Sequence, residues 1–124
     1  MIKSVGIDLV AIERIEDDLS KFGDRFVEKI LGSDERAIFM RRQDKAIFLA
    51  GRFAAKEAIV KGLGRFLKKR PALSSIQILN DDSGFPEVSF PEAILMTLGK
   101  SRCHVSITHD HNNAAAVAIF EEIA

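Results

Sequence analysis

The pattern of hydrophobic and polar residues predicts a strand followed by several helices in the first half of the chain. An apolar, β-branched run predicts a strand over residues 2–10. Apolar residues at helical spacing predict helices over residues 12–22 and 24–31, and we expect Ser33 to be the N-cap of a short third helix. The longest helical pattern spans residues 44–63, where glycines close it.

The second half of the chain continues this alternation. A loop rich in Lys and Arg, here called the basic loop, covers residues 65–71. Two short strands, a short helix and a closing pair of strands follow it, over residues 76–79, 87–90, 91–99, 103–108 and 114–120. This order of elements predicts a mixed α+β class, and the length fits a single domain spanning residues 1–124.

Composition narrows the classes of function. Lys plus Arg and Asp plus Glu each number 18, so the formal net charge is zero and nothing favours nucleic acid as a partner. The single cysteine, Cys103, cannot form an internal disulfide and favours a reducing compartment. Acidic residues interrupt the N-terminal apolar run, and no stretch approaches the roughly 20 apolar residues of a membrane helix. We therefore expect a soluble cytoplasmic domain.

Asp8 is unusual because it lies inside the apolar first strand. An ionised carboxylate in such a place is costly unless a positive group meets it. The alternative is an acid at the strand end that faces water or caps a helix. The sequence leaves both interpretations open.

One face of the long helix carries only two long polar side chains, Glu57 and Lys61, among small residues. The small residues are Ala46, Ala50, Ala54 and Ala58, continued by Gly51, Ala55 and Gly62. Such a face lets another backbone or a ligand come close. Arg52 and Lys56 lie instead among the apolar residues of the other side. A plain surface salt bridge between Glu57 and Lys61, or tight packing of the small residues, is an equally open interpretation.

Asp8 and Glu57 together would suit Mg²⁺, which takes one or two protein carboxylates and leaves its other positions to water and substrate phosphates. Lys61, one turn beyond Glu57, would then meet phosphate oxygens as a point charge. On spacing alone, other pairs of acids would serve as well.

Three segments together resemble the holo-acyl-carrier-protein synthase family. They are GIDLV at residues 6–10, RFAAKEAIVK at residues 52–61 and HVSITH at residues 104–109, and a GFP turn at residues 84–86 falls where the family has Gly-x-Pro. Length, order and spacing agree over essentially the whole chain. The resemblance implies a 4′-phosphopantetheinyl transferase-like fold, in which a small antiparallel sheet packs against a long helix, with short helices on the N-terminal side.

The resemblance also implies an activity. The family transfers the phosphopantetheine arm of coenzyme A to a serine of an apo-acyl carrier protein, in fatty acid biosynthesis, and releases adenosine 3′,5′-bisphosphate. Its short members are homotrimers with active sites between subunits. Asp8 and Glu57 match the positions that hold Mg²⁺, and Lys61 matches a lysine that faces the phosphates. Glu57, directly or through a water that it orients, is our candidate for accepting the serine proton.

The remaining family positions concern coenzyme A and the carrier. Arg52 and His109 match positions near the nucleotide, and the turn that contains Gly84 and Pro86 would lie beside the adenine. The candidate docking residues for an acidic carrier are Arg14, Lys21 and Arg25. They share a narrow arc if the first helix continues past Gly23. This helix is more acidic than is expected of a surface that binds an acidic partner, because it also carries Glu13, Glu16, Asp17 and Asp18.

Other functions remain compatible with the same residues. The enzyme could serve the carrier modules of polyketide or peptide synthases, or it could be a metal-dependent phosphohydrolase that consumes coenzyme A without a carrier. A catalytically silent trimeric module is a third class, which intact Asp8, Glu57 and Lys61 argue against.

Overall fold

The computed structural model describes all 124 residues and contains each helix and strand that the sequence predicts, with ends shifted by one or two residues. No helix is both long and apolar enough to cross a bilayer. A single 3₁₀ turn covers Leu73–Ser75. The elements are β1 (Ile2–Ala11), α1 (Ile12–Phe22), α2 (Asp24–Ile30), α3 (Ser33–Arg41), α4 (Lys45–Leu63), β2 (Gln77–Asn80), β3 (Pro86–Ser89), α5 (Glu92–Leu98), β4 (Ser101–His109) and β5 (Asn113–Glu122).

The strands form two antiparallel sheets. The larger sheet has the order β1-β5-β4, in which Ala118 of β5 pairs with Gly6 on one side and Val105 on the other. The smaller is the β2–β3 hairpin, in which Ile78 pairs with Val88. Helix α4 packs on the larger sheet, and both contribute to a core of 24 buried hydrophobic residues. The predicted α+β class is confirmed.

The small residues of α4 allow close packing against the chain's own sheet. A Cβ atom at Gly6 of β1 would collide with the carbonyl oxygen of Ala58. A Cβ at Gly62 would run into the ring of Phe120 on β5. The Ser4 hydroxyl donates to the Gly62 carbonyl at 2.8 Å, which fastens the start of β1 to the end of α4. Tight packing is therefore the main use of this helix face, and it brings β1 against α4.

On the opposite face of the larger sheet, β1 and β5 present uncovered apolar side chains, beside the polar His104, Ser106 and Thr108 of β4. Val5, Ile7 and Leu9 of β1 alternate with the inward residues and are 58%, 66% and 67% exposed. Their cross-strand neighbours on β5 are Ile119, Val117 and Ala115. Contiguous exposed apolar surface of this kind is unusual on a monomeric protein and marks an interaction surface.

The condition for the docking arc is not met, and one helix cap is predicted wrongly. As the predicted helix bounds imply, α1 ends before Gly23, which adopts φ +56° and separates it from α2, so the arc does not lie on one helix. The N-cap of α3 is Gly32 rather than Ser33. The Glu35 carboxylate accepts a hydrogen bond from the Gly32 amide at 2.9 Å. Oε1 of Gln77 accepts from the Asp34 and Glu35 amides at 2.9 and 3.3 Å, and so supplies the cap that a serine hydroxyl would have given.

Glu35 also belongs to a buried charge network that joins four elements. Its carboxylate accepts from the Lys56 ammonium of α4 at 2.5 Å and from the Ile78 amide of β2 at 2.9 Å. Lys56 donates in addition to the Ile30 carbonyl at the end of α2. Lys56 and Glu35 are fully buried. Desolvation lowers the pKa of Lys56, and the Glu35 carboxylate opposes that shift.

Candidate active site

Asp8 lies on the inward-facing row of β1, opposite α4. Lys61 of α4 donates to Asp8 Oδ1 at 3.0 Å and to the Ile7 carbonyl at 2.9 Å. The Asp8 side chain is 17% exposed and the Lys61 side chain 54% exposed. Asp8 is thus met by a positive group. This favours a carboxylate held inside the strand by a cation over an acid that faces water or caps a helix. The pair borders solvent, so a ligand can reach it.

Glu57 lies one turn before Lys61 on α4, yet the two do not form the surface salt bridge that their spacing allows. The Glu57 carboxylate accepts instead from the Arg70 guanidinium of the basic loop at 2.5 Å. Its side chain is 17% exposed, like that of Asp8. The sequence shows the basic loop but not this contact, because the path of an irregular segment after α4 has no periodicity to read.

The donor set fits a hard, highly hydrated cation. Asp8 and Glu57 supply carboxylate oxygens from β1 and α4, two elements that pack directly together. No group of three or more His, Cys, Asp or Glu side chains gathers anywhere in the structure, as a site made entirely of protein ligands would require. Mg²⁺ needs only one or two carboxylates when phosphates and water complete its shell.

Arg52 occupies a different environment. It is 8% exposed, its Nε donates to the Ile78 carbonyl at 3.1 Å, and its guanidinium lies 4.7 Å from the centre of the Phe48 ring. Burial lowers the pKa of Arg52, while the Glu35 carboxylate, 3.9 Å from Nε, raises it. Arg52 therefore joins the buried charge network rather than the Asp8–Lys61 pair.

Gly84, Pro86 and His109 lie in further separate places. Gly84 adopts φ +86° in the β2–β3 turn, and Pro86 lines a groove between β3 and β4 together with Cys103. His109 is exposed at the end of β4. None of the three shares a hydrogen bond or ion pair with the side chains of Asp8, Glu57 or Lys61. One chain therefore presents the predicted coenzyme A residues at distinct sites.

The three predicted docking residues are exposed, on two helices. The guanidinium of Arg14 lies 5.6 Å from the centre of the Phe53 ring of α4. Arg25, on α2, borders a surface hollow together with Asp18. Lys21 stands in the last turn of α1.

Residues 4–120 match the sequence profile of the 4′-phosphopantetheinyl transferase superfamily. The chain is 42% identical over 117 residues to a holo-acyl-carrier-protein synthase of Chlorobaculum tepidum, which covers 94% of this chain and 97% of that protein.

Solved structures give the same result. The crystal structure of holo-acyl-carrier-protein synthase from Neisseria meningitidis superimposes with a TM-score of 0.89 at 31% identity, covering 98% of this chain and 99% of that one. The synthase from Bacillus anthracis, solved in complex with coenzyme A (3′,5′-ADP), gives a TM-score of 0.81 at 34% identity and 99% coverage of both chains. The resemblance drawn from the motifs is confirmed, and the chain belongs to the 4′-phosphopantetheinyl transferase superfamily.

Proposed function

We propose that this protein transfers the 4′-phosphopantetheine group of coenzyme A to a serine of an apo-acyl carrier protein, releasing adenosine 3′,5′-bisphosphate. The observation that carries the proposal is the meeting of β1 and α4, where Lys61 bonds to Asp8 and Glu57 lies one turn before Lys61 on the same helix, with all three side chains open to solvent. Fatty acid biosynthesis is the process served. The free thiol of Cys103 fits a reducing compartment such as the cytoplasm.

The reaction is a displacement at phosphorus, which needs charge neutralisation and alignment more than covalent help from the protein. Asp8 and Glu57 are the residues to hold Mg²⁺, which when bound neutralises the pyrophosphate charge. Lys61 is already directed at the same edge, with its ammonium on Asp8. It stabilises the leaving bisphosphate as a point charge and is placed to donate a proton to it.

The serine hydroxyl must lose its proton as it attacks. Glu57 is the candidate acceptor, directly or through a water that it orients, since its half-buried carboxylate opens on the same edge. Gly84 and Pro86 form the adenine side of the coenzyme A site, with Arg52 and His109 near the nucleotide.

We also propose a homotrimer, as the resemblance implies, although the small-residue face of α4 is not its contact surface. The small-residue face of α4 is already occupied by the chain's own β1 and β5. The exposed apolar row of Val5, Ile7 and Leu9 is what favours a neighbouring subunit. Glu57 does not line the groove at Pro86 in one chain, which also fits active sites completed between subunits.

Sedimentation equilibrium tests this assembly. Ile7→Glu should give a monomer that transfers poorly, because the new charge would be buried in the subunit interface. Met96→Glu is the matched control, since Met96 is 77% exposed on α5, away from the sheet face. An active monomer of the unmodified protein would contradict the proposal.

Mass spectrometry tests the reaction. Apo-acyl carrier protein incubated with coenzyme A, Mg²⁺ and this protein should gain the mass of phosphopantetheine. Carrier modules of polyketide and peptide synthases, assayed side by side, determine which carrier is preferred. Loss of coenzyme A without any change in carrier mass would indicate a phosphohydrolase and would refute the transferase assignment.

A further inference from the structure

We propose that the basic loop, residues 65–71, is a docking surface for the acidic face of the carrier protein, in addition to α1. The inference rests on the proposed transfer reaction. It concerns where the carrier sits, which that reaction leaves open.

The basic loop concentrates unpaired positive charge. It carries four basic side chains and no carboxylate. Arg65, Lys68 and Lys69 are exposed, and no ion pair in the structure involves any of them. Only Arg70 has a carboxylate partner, Glu57. A surface of this kind attracts a partner that presents several carboxylates.

The loop is also held in place by its apolar residues. Phe66 and Leu67 are partly buried and pack against the core. The Phe66 ring centre lies 5.5 Å from that of Phe120 on β5. The amides of Phe66 and Leu67 both donate to the Leu63 carbonyl at 2.8 Å. Because these anchors fix the backbone, the neighbouring lysines extend from a defined platform, which reduces the ordering cost of binding.

Position links the loop to the chemistry. The Arg70–Glu57 contact places the end of the loop at the candidate active site. Lys68, Lys69 and Arg70 line one surface hollow together with Lys61. A protein bound on the loop would therefore lie next to Glu57 and Lys61.

The region of α1 and α2 offers a weaker field. Residues 12–30 hold four basic side chains against six carboxylates, and Asp18 borders the same hollow as Arg25. Basic and acidic side chains this close together offset each other. Salt screens what remains beyond a Debye length, about 8 Å at physiological salt. The net attraction for an acidic protein is thus concentrated at the loop.

Reversing two charges on the loop tests the proposal. Lys68→Glu combined with Lys69→Glu should raise the KM for apo-acyl carrier protein about tenfold or more and flatten its dependence on NaCl, while kcat and the KM for coenzyme A change less than about twofold. The matched control is Arg41→Glu with Lys100→Glu, two exposed residues at the end of α3 and before β4 whose side chains make no hydrogen bond or ion pair. The control should leave both KM values near those of the unmodified protein.

Three results would overturn the inference. An unchanged carrier KM, or the same rise in the control, removes the loop as a specific docking surface. A rise in the coenzyme A KM alone would show that the loop binds the phosphates of coenzyme A. Lys68→Gln with Lys69→Gln, which adds no repulsion, should raise the carrier KM about threefold if the reversed variant does not fold. Absence of transfer by the unmodified protein would instead reject the proposed function.

Discussion

Helix α4 carries two lysine–carboxylate pairs, five residues apart, in opposite environments. Lys56 and Glu35 are both fully buried and meet at 2.5 Å, with further bonds to the Ile30 carbonyl and to backbone amides. Lys61 and Asp8 meet at 3.0 Å at the protein edge, where more than half of the lysine side chain is exposed. A lysine paired with a carboxylate therefore has two different environments on one helix.

The difference lies in what can replace each partner. Water and ions cannot reach the buried pair, so removing one member leaves an uncompensated charge in the interior. The exposed pair is worth little as a stabilising contact, and a cation or a phosphate can take over either member. We infer that the buried pair holds α4 in place and that the exposed pair is available for chemistry.

Neutralising the carboxylates at the exposed edge should have the largest effect. Asp8→Asn and Glu57→Gln should each reduce transfer by about 1000-fold or more, because the loss of a charged ligand weakens metal-supported stabilisation of the transition state by several kcal/mol. The thermal midpoint should barely move. Transfer rates measured over a range of Mg²⁺ concentrations provide the check.

Glu92→Gln, in the first turn of α5, is the control for loss of one negative charge. Near-normal transfer by either Asp8→Asn or Glu57→Gln at ordinary Mg²⁺ concentration would remove these residues from the metal site.

Breaking the buried pair should instead affect stability. Lys56→Met should lower the free energy of unfolding by about 3 kcal/mol, because the Glu35 charge loses its main counterion in the interior. Adding Glu35→Gln should restore part of that loss, since the buried carboxylate without its lysine is then removed. The recovery is partial because Arg52, 3.9 Å from Glu35, loses its carboxylate partner. Urea denaturation of Lys56→Met, Glu35→Gln and the double variant measures the loss of stability and its recovery. If the double variant were less stable than Lys56→Met by the full cost of Glu35→Gln alone, the two residues would not be coupled.

Both pairs show how far the sequence could be interpreted. Periodicity predicts α4 and its two faces, because regular elements repeat at fixed spacing, and Asp8 stands out as an acid inside an apolar strand. Arg52 and Lys56 among apolar residues indicate a buried counterion, but Glu35 lies 21 residues from Lys56 on another helix and no local pattern joins them. The break at Gly23 and the reach of Arg70 depend on loop conformation, which periodicity does not specify.

Cys103 extends the comparison to a partly buried ionisable group that has no partner. Burial alone raises the pKa of the Cys103 thiol to about 12. The thiolate, which is the reactive form, is therefore scarce in the folded protein at pH 8, whereas the unfolded chain has an ordinary thiol. Labelling by a thiol reagent should be about 100-fold slower in the folded protein, or slower still. Equal rates in buffer and in denaturant would show that the thiol is accessible and its pKa unshifted.

The smallest expected effect concerns Arg70, which forms a solvent-exposed ion pair with Glu57. Its side chain is 57% exposed, so its bond to Glu57 contributes little to stability, and Arg70→Gln should change the free energy of unfolding by less than about 1 kcal/mol. The bond nevertheless competes with any cation that binds Glu57. Arg70→Gln should therefore tighten Mg²⁺ binding about two- to fivefold, as measured by calorimetry without coenzyme A. Arg65→Gln removes the same charge from the same loop without touching a carboxylate, and it should change the affinity less. Equal effects of the two variants would mean that only the overall charge of the loop matters and that the Arg70–Glu57 contact does not compete with the metal.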